Sequence, residues 1–177
     1  TIPAANLTTA SPSQSIILMN VVDGNSCAVS MTLSVSDVFA INALPDVSTL
    51  NVDAMDICLG IDGSATITTS LANGTYDFTY NLGAPNSATG LTGSVTVSGG
   101  TGVLTIPAAS LSATTASQTI TVTNVVDGNS CAPASPLSAS DAFAINTLPD
   151  VSTLTIVADD ICLGDDGNVM VTTSLVD

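Results

Sequence analysis

Cationic side chains are missing from this chain. Its 177 residues contain no Lys, no Arg and no His, and the formal charge is −15. The fifteen acidic residues are all Asp, and Glu and Trp are absent as well. Without His there is no imidazole base, and without Lys no Schiff base, so no catalytic residues are expected and the chain does not read as an enzyme. Without Lys or Arg there is no phosphate clamp and no footprint for nucleic acid. An acidic surface is also repelled by an anionic membrane. No apolar run reaches about 18 residues, so no membrane insertion of this segment is expected. No signal peptide is visible, which fits a segment internal to a longer chain. Lys–Asn isopeptide cross-links are excluded with the lysines.

What remains favours strands. Hydrophobic residues make up 45% and aromatics only 3%, so a core must be built from Val, Ile, Leu and Ala. The helix formers Glu, Lys, Arg and Gln are nearly gone, while Thr, Val, Ile, Ser and Asp dominate.

Internal duplication is the strongest signal. Thr1-Ile2-Pro3-Ala4-Ala5 returns at Thr105–Ala109, Val21–Ala28 at Val125–Ala132, Leu44–Leu50 at Leu148–Leu154, and Asp56–Gly60 at Asp160–Gly164. Every offset is 104 residues, and 45 of the 73 overlapping positions are identical. Leu-Pro-Asp after an apolar strand reads as a linker, so residues 45–148 are expected to hold one complete repeat. Residues 1–44 are then the C-terminal part of the preceding repeat, and 149–177 the N-terminal part of the next. The Leu44-Pro45-Asp46-Val47-Ser48 run lacks the rest of a sortase signal and recurs internally, which also makes it a linker.

Within 45–148, alternation predicts strands at 48–54, 64–71, 75–82, 92–98, 102–107, 117–126 and 142–147. Tyr76, Phe78 and Tyr80 share one face of the third. In the sixth, Ile120 and Val122 point inward and Thr119, Thr121 and Thr123 outward. Ala72-Asn73-Gly74, Gly99-Gly100 and Asp127-Gly128-Asn129 are the turn signals. Seven short strands in about 100 residues fit an all-β, immunoglobulin-like sandwich, repeated in tandem.

Asp-Ile-Cys-Leu-Gly, Asn73-Gly74-Thr75-Tyr76, Val95–Gly102 and Thr105-Ile106-Pro107-Ala108-Ala109 follow one another in an order that resembles the Ig-like repeats of giant gliding-motility-associated surface proteins of Bacteroidota. The resemblance covers essentially the whole chain. It implies export by the type IX secretion system, an extracellular or cell-surface location, and a role in adhesion or in surface filaments. It brings no catalytic residues with it.

Four cysteines, Cys27, Cys58, Cys131 and Cys162, occur two per period. In an exported acidic β protein they are expected to be oxidised. Zinc fits poorly, with no paired Cys-x-x-Cys and no His. Two pairings respect the repeat, with free thiols as the third reading. One is Cys58–Cys131 inside the complete unit, with Cys27 and Cys162 joined to partners outside the segment. The other is Cys27–Cys58 with Cys131–Cys162 across the linkers. A strict seven-strand order puts the loop before strand two and the loop after strand six at opposite ends, so the first pairing requires a departure from that order.

Asp159, Asp160, Asp165 and Asp166 flank Cys162. Asp53, Asp56 and Asp62 flank Cys58, and Asp127 lies near Cys131. Oxygen ligands in loops at junctions suit Ca²⁺, which makes Asp159, Asp160, Asp165 and Asp166 a candidate calcium site. Asp that caps turns and keeps the surface soluble is the plainer reading.

The two copies differ in an informative way. Ile17, Met19, Met31, Met55 and Ile61 stand where the later copy has Thr121, Thr123, Ser135, Asp159 and Asp165. An outward apolar strip of this kind marks a candidate interface. The expected role is a structural segment of a surface adhesin or filament, assembled into a homo-oligomeric fibre through lateral and tandem contacts. The alternative is a Ca²⁺-dependent carbohydrate-binding module, which would need exposed aromatic platforms.

Overall fold

Apolar residues alternate with Thr, Ser and Asp along the strands, and a period of two lets one side of a strand face a second layer. The computed structural model describes residues 1–173 and is built of strands, with no α-helix among them. The last four positions of the expected piece 149–177 lie outside the described residues. In chain order the strands are β1 (Ser11–Leu18), β2 (Val35–Ile41), β3 (Asn51–Ala54), β4 (Ile57–Cys58), β5 (Gly63–Thr68) and β6 (Gly74–Leu82), followed by β7 (Ala88–Val97), β8 (Thr101–Ile106), β9 (Thr115–Val126), β10 (Ala139–Asn146), β11 (Thr155–Ala158) and β12 (Val169–Thr172).

The strands from β3 to β10 form two sheets, one of order β4-β10-β9-β6-β7 and one of order β3-β5-β8. Their inner faces share one core, consistent with a β-sandwich. Phe78, Tyr80 and Leu82 of β6, Ile120 and Val122 of β9, and Phe143 and Ile145 of β10 are 3% exposed or less, as are Ala65, Ile67, Leu104 and Ile106 from the facing sheet. Tyr76, at 9%, closes one edge and donates its hydroxyl to the carbonyl of Ala72. Each of the seven strands expected from alternation between residues 48 and 147 has a counterpart.

Three local differences have physical causes. The segment 47–50 turns on a bond from the Leu50 amide to the Val47 carbonyl, so β3 begins only at Asn51. The two-residue β4 escaped the alternation reading because it is too short to show a period; it lies parallel to the end of β10. In β9 a bulge at Thr123 separates the pairs Tyr80↔Val122 and Thr79↔Asn124, and the next inward residue is Val125. Gly99 and Gly100, with φ of +61° and +82°, make the tight turn that carries the chain from β7 to β8.

The flanking pieces repeat pairings of the central unit. Ile16↔Asp37 and Leu18↔Val35 in β1–β2 match Ile120↔Asp141 and Val122↔Ala139 in β9–β10. Thr155↔Thr172 in β11–β12 matches Asn51↔Thr68 in β3–β5. Ile16 and Leu18 are 44% and 48% exposed, whereas Ile120 and Val122 are fully buried, because β1–β2 stands as a two-stranded sheet with no second layer. The same sequence pattern thus has a dry core only where both sheets are present.

Replacing Phe78 by Ala is expected to lower stability by about 3–5 kcal/mol through lost burial and the cavity left behind. Val103→Ala, at a half-exposed site on β8, should change it by less than about 0.5 kcal/mol. Chemical denaturation of the two variants against the parent checks the difference.

Candidate functional site at the two ends of the unit

Strand register defines two ends. Asn51, Thr68, Gly74, Val97, Thr101 and Val126 lie together at the end where the chain comes in, called the near end. Ala54, Cys58, Gly63, Leu82, Ile106, Thr115 and Asn146 lie at the opposite, far end, where the chain leaves.

The near end is organised by Asp127. Its carboxylate accepts the amides of Asn129 (2.9 Å) and Cys131 (2.8 Å), its own amide donates to the Cys131 carbonyl (3.0 Å), and its carbonyl accepts the Ser130 amide (3.0 Å). Ser130 is held at φ +62°, a left-handed conformation that L residues rarely adopt. Asp23 builds the same turn around Cys27, with Ser26 at +66°. The incoming linker is seated on this end. Ser70 donates its hydroxyl to the Asp46 carbonyl (3.2 Å), and Leu44–Asp46 share a groove with Leu71, Tyr76 and Asp127. A second groove forms between the linker and Pro133–Leu137.

Carboxylates also organise the far end. Asp141 accepts the Ala54 amide (2.8 Å) and Asp56 accepts the Ala144 amide (2.6 Å), so the crossing from β3 to β4 is tied to β10 in both directions. Asp62 accepts the Ala108 amide (2.7 Å) and anchors the loop after β8. The Leu59 amide donates to the Asn146 carbonyl (2.8 Å), which fixes Cys58 beside the departing chain. Gln118, fully buried, accepts from Asn86 (2.8 Å) and donates to the Gly83 carbonyl (2.8 Å). Among the described residues no buried side-chain polar atom lacks a partner.

Strand register locates the two cysteines of the first disulfide pairing. No two of the four cysteines are bonded to each other. Cys58 sits beside Asn146 at the far end, and Cys131 follows β9 at the near end. A twelve-residue strand separates them by on the order of 35 Å, against Cα separations under about 7 Å in a disulfide. The departure from strict order that a Cys58–Cys131 bond requires is not made. The linker pairings Cys27–Cys58 and Cys131–Cys162 are not formed either. Cys27 lies beyond the Leu18↔Val35 end of β1–β2, away from the outgoing Ile41, and Cys162 lies beyond the Ala158↔Val169 end of β11–β12.

The other sequence candidates are also located. Asp159, Asp160, Asp165 and Asp166 are exposed in the connection from β11 to β12. No three acidic or thiol groups come together as a cation cage among the described residues. Ile17, Met19, Met31, Met55 and Ile61 are all exposed, from 52% to 74%. Alternation missed the structural Asp residues and the Gln118–Asn86 pair. A usable signal did exist: Gln14 and Gln118, the chain's two glutamines, occupy the same place in both copies, and so do Asp37 and Asp141.

Hydrogen bonding sets the acid behaviour of the linkers. The Ser48 amide, bonded to Asp46 at 3.0 Å, and the Ser48 side chain hold the Asp46 carboxyl below its ordinary value of 3.8; Ser152 does the same for Asp150. A depressed carboxyl pKa contributes stability that is present above the unfolded value and lost as pH falls through the folded one. The Ser48 and Ser152 amides are therefore expected to stay protected from exchange down to about pH 3.8 and to lose that protection below it. Hydrogen exchange read by NMR checks this. Asp141→Ala, which leaves the Ala54 amide without its acceptor, should lower stability by about 1–3 kcal/mol. Asp77→Ala on the outer face of β6 is the control.

No family model, curated protein or solved structure matches this chain.

Proposed function

We propose that the chain is a stretch of tandem immunoglobulin-like units forming the shaft of a large extracellular adhesin or filament on a bacterial surface. The observation that carries this reading is that the central unit receives the chain at one end and releases it at the other. Units joined in this way extend in line, and a unit of this size adds about 40 Å, from strands of roughly 20–25 Å plus loops and linker. The strand orders β3-β5-β8 and β4-β10-β9-β6-β7, with β4 parallel to β10, support the immunoglobulin-like assignment. Close identity of the copies favours a shaft, whose parts should look alike along its length. The lack of His, Lys, Arg and Glu argues against catalysis.

Composition and burial weigh against the carbohydrate-binding alternative. The five aromatics are Phe39, Tyr76, Phe78, Tyr80 and Phe143; four are buried and Phe39 is half-buried, so none offers an open platform for a sugar ring.

Lateral association would stiffen such a shaft, and the strip containing Ile17 and Met19 is the surface proposed for it. The charge of −15 per chain opposes bundling, so apolar contact must outweigh a repulsion that salt screens. Ile17→Thr with Met19→Thr copies the later repeat and is expected to weaken self-association. Light scattering of the parent at moderate salt should show assemblies that the double variant lacks. Monomers alone, with and without Ca²⁺, would contradict lateral assembly.

A further inference from the structure

We propose that successive units are stapled head to tail by a disulfide between the Cys58 position of one unit and the Cys131 position of the unit that follows it. The inference rests on the tandem reading above and names the partner of each thiol. Cys58 pairs with Asn146, the last residue of β10, about one strand spacing of 4.8 Å away. The counterpart of Asn146 in the preceding piece is Asn42, after which residues 43–46 run directly onto the near end of the central unit. There the linker lies against Asp127, whose carboxylate holds the amide of Cys131. The two cysteine positions therefore bracket one connection, from 42 to 46, whose five residues span at most about 18 Å. The bond requires that connection to bend until the two Cα atoms lie within about 7 Å of each other.

Two further observations fit. The turn that presents Cys131 is preset by four hydrogen bonds and a left-handed Ser130, and it is built identically around Cys27. The arrangement also joins no two of the four cysteines to each other. The partner of Cys131 stands 104 positions ahead of Cys58, before Thr1, and the partner of Cys58 stands 104 positions beyond Cys131, after Asp177. No two cysteines of this segment share a junction.

Bond formation is thiol–disulfide exchange with a small-molecule disulfide as oxidant. One protein thiolate attacks a sulfur of the oxidant and releases one small thiol. The second protein thiolate then attacks the protein sulfur of that mixed disulfide and releases the other. One S–S bond forms, one is reduced, and the two protons leave with the small thiols.

The test uses the full chain, alone and extended at its C-terminus by a second pass through residues 74–177, which completes the following unit. Cys131→Ser in the central unit leaves the added copy as the sole source of an Asn-Ser-Cys-Ala-Pro peptide. Both chains are held dilute in a glutathione redox buffer, and monomers are digested without reduction for mass spectrometry. The extended chain should yield the Cys58 peptide, marked by Met55 and Ile61, joined to that Asn-Ser-Cys-Ala-Pro peptide. The unextended parent should retain four titratable thiols after mild removal of glutathione adducts. A Cys27–Cys58 or Cys58–Cys131 peptide from the parent would overturn the staple, as would an unlinked Cys58 in the extended chain. Small-angle scattering of the same samples separates the two failures. An elongated particle with Cys58 unlinked refutes the staple alone, and a compact one refutes the tandem reading with it.

Discussion

A carboxylate in this chain has no cationic side chain to pair with. That constraint shapes both ends of the central unit, because the Asp side chains must find water or backbone N–H groups. Asp46, Asp56, Asp62, Asp127 and Asp141 all accept backbone amides, and each bond closes a turn or ties a connection to a strand. The two sheets meet through apolar packing, but the route of the chain between them is set by these acceptors. Bonds of this type are charge-assisted and stronger than neutral ones. They are also sensitive to acid and need no partner residue that could drift between copies.

The core was largely legible in the sequence, because alternation on β5, β6, β8 and β9 is regular and the aromatics fall on one face. What alternation could not reveal was anything shorter than one period or dependent on tertiary pairing. Two-residue β4 is of the first kind, and the bulge at Thr123 is of the second. The ends were less legible. Asp-rich loops around cysteines suit a cation site, a solubilising surface or a set of backbone caps equally well from sequence alone. The carboxylate–amide bonds of Asp56, Asp62 and Asp127 account for those three residues as caps. Disulfide pairing was not legible either, because spacing along the chain does not report which end of a strand a loop occupies. Register puts Cys58 and Cys131 at opposite ends, which is why the proposed staple joins each to a neighbouring unit.

The flanking pieces show how far a unit depends on completion. Ile16 and Leu18 lie open in β1–β2, while the same pattern in β9 is dry. A long, flat edge with exposed apolar residues is a hazard in a free strand pair. In the central unit the facing β3-β5-β8 sheet covers the corresponding residues.

Particle shape is the most direct test of the account's central claim, that units are joined in line. The flanking strand pairs keep their strand length along the axis, so an in-line chain is about 100 Å long with a radius of gyration of roughly 25 Å, whereas a compact globule of 177 residues has about 16 Å. Small-angle X-ray scattering of the dilute, reduced chain should give the larger value, with a skewed pair-distance distribution. A value near 16 Å with a symmetric distribution would contradict the in-line arrangement.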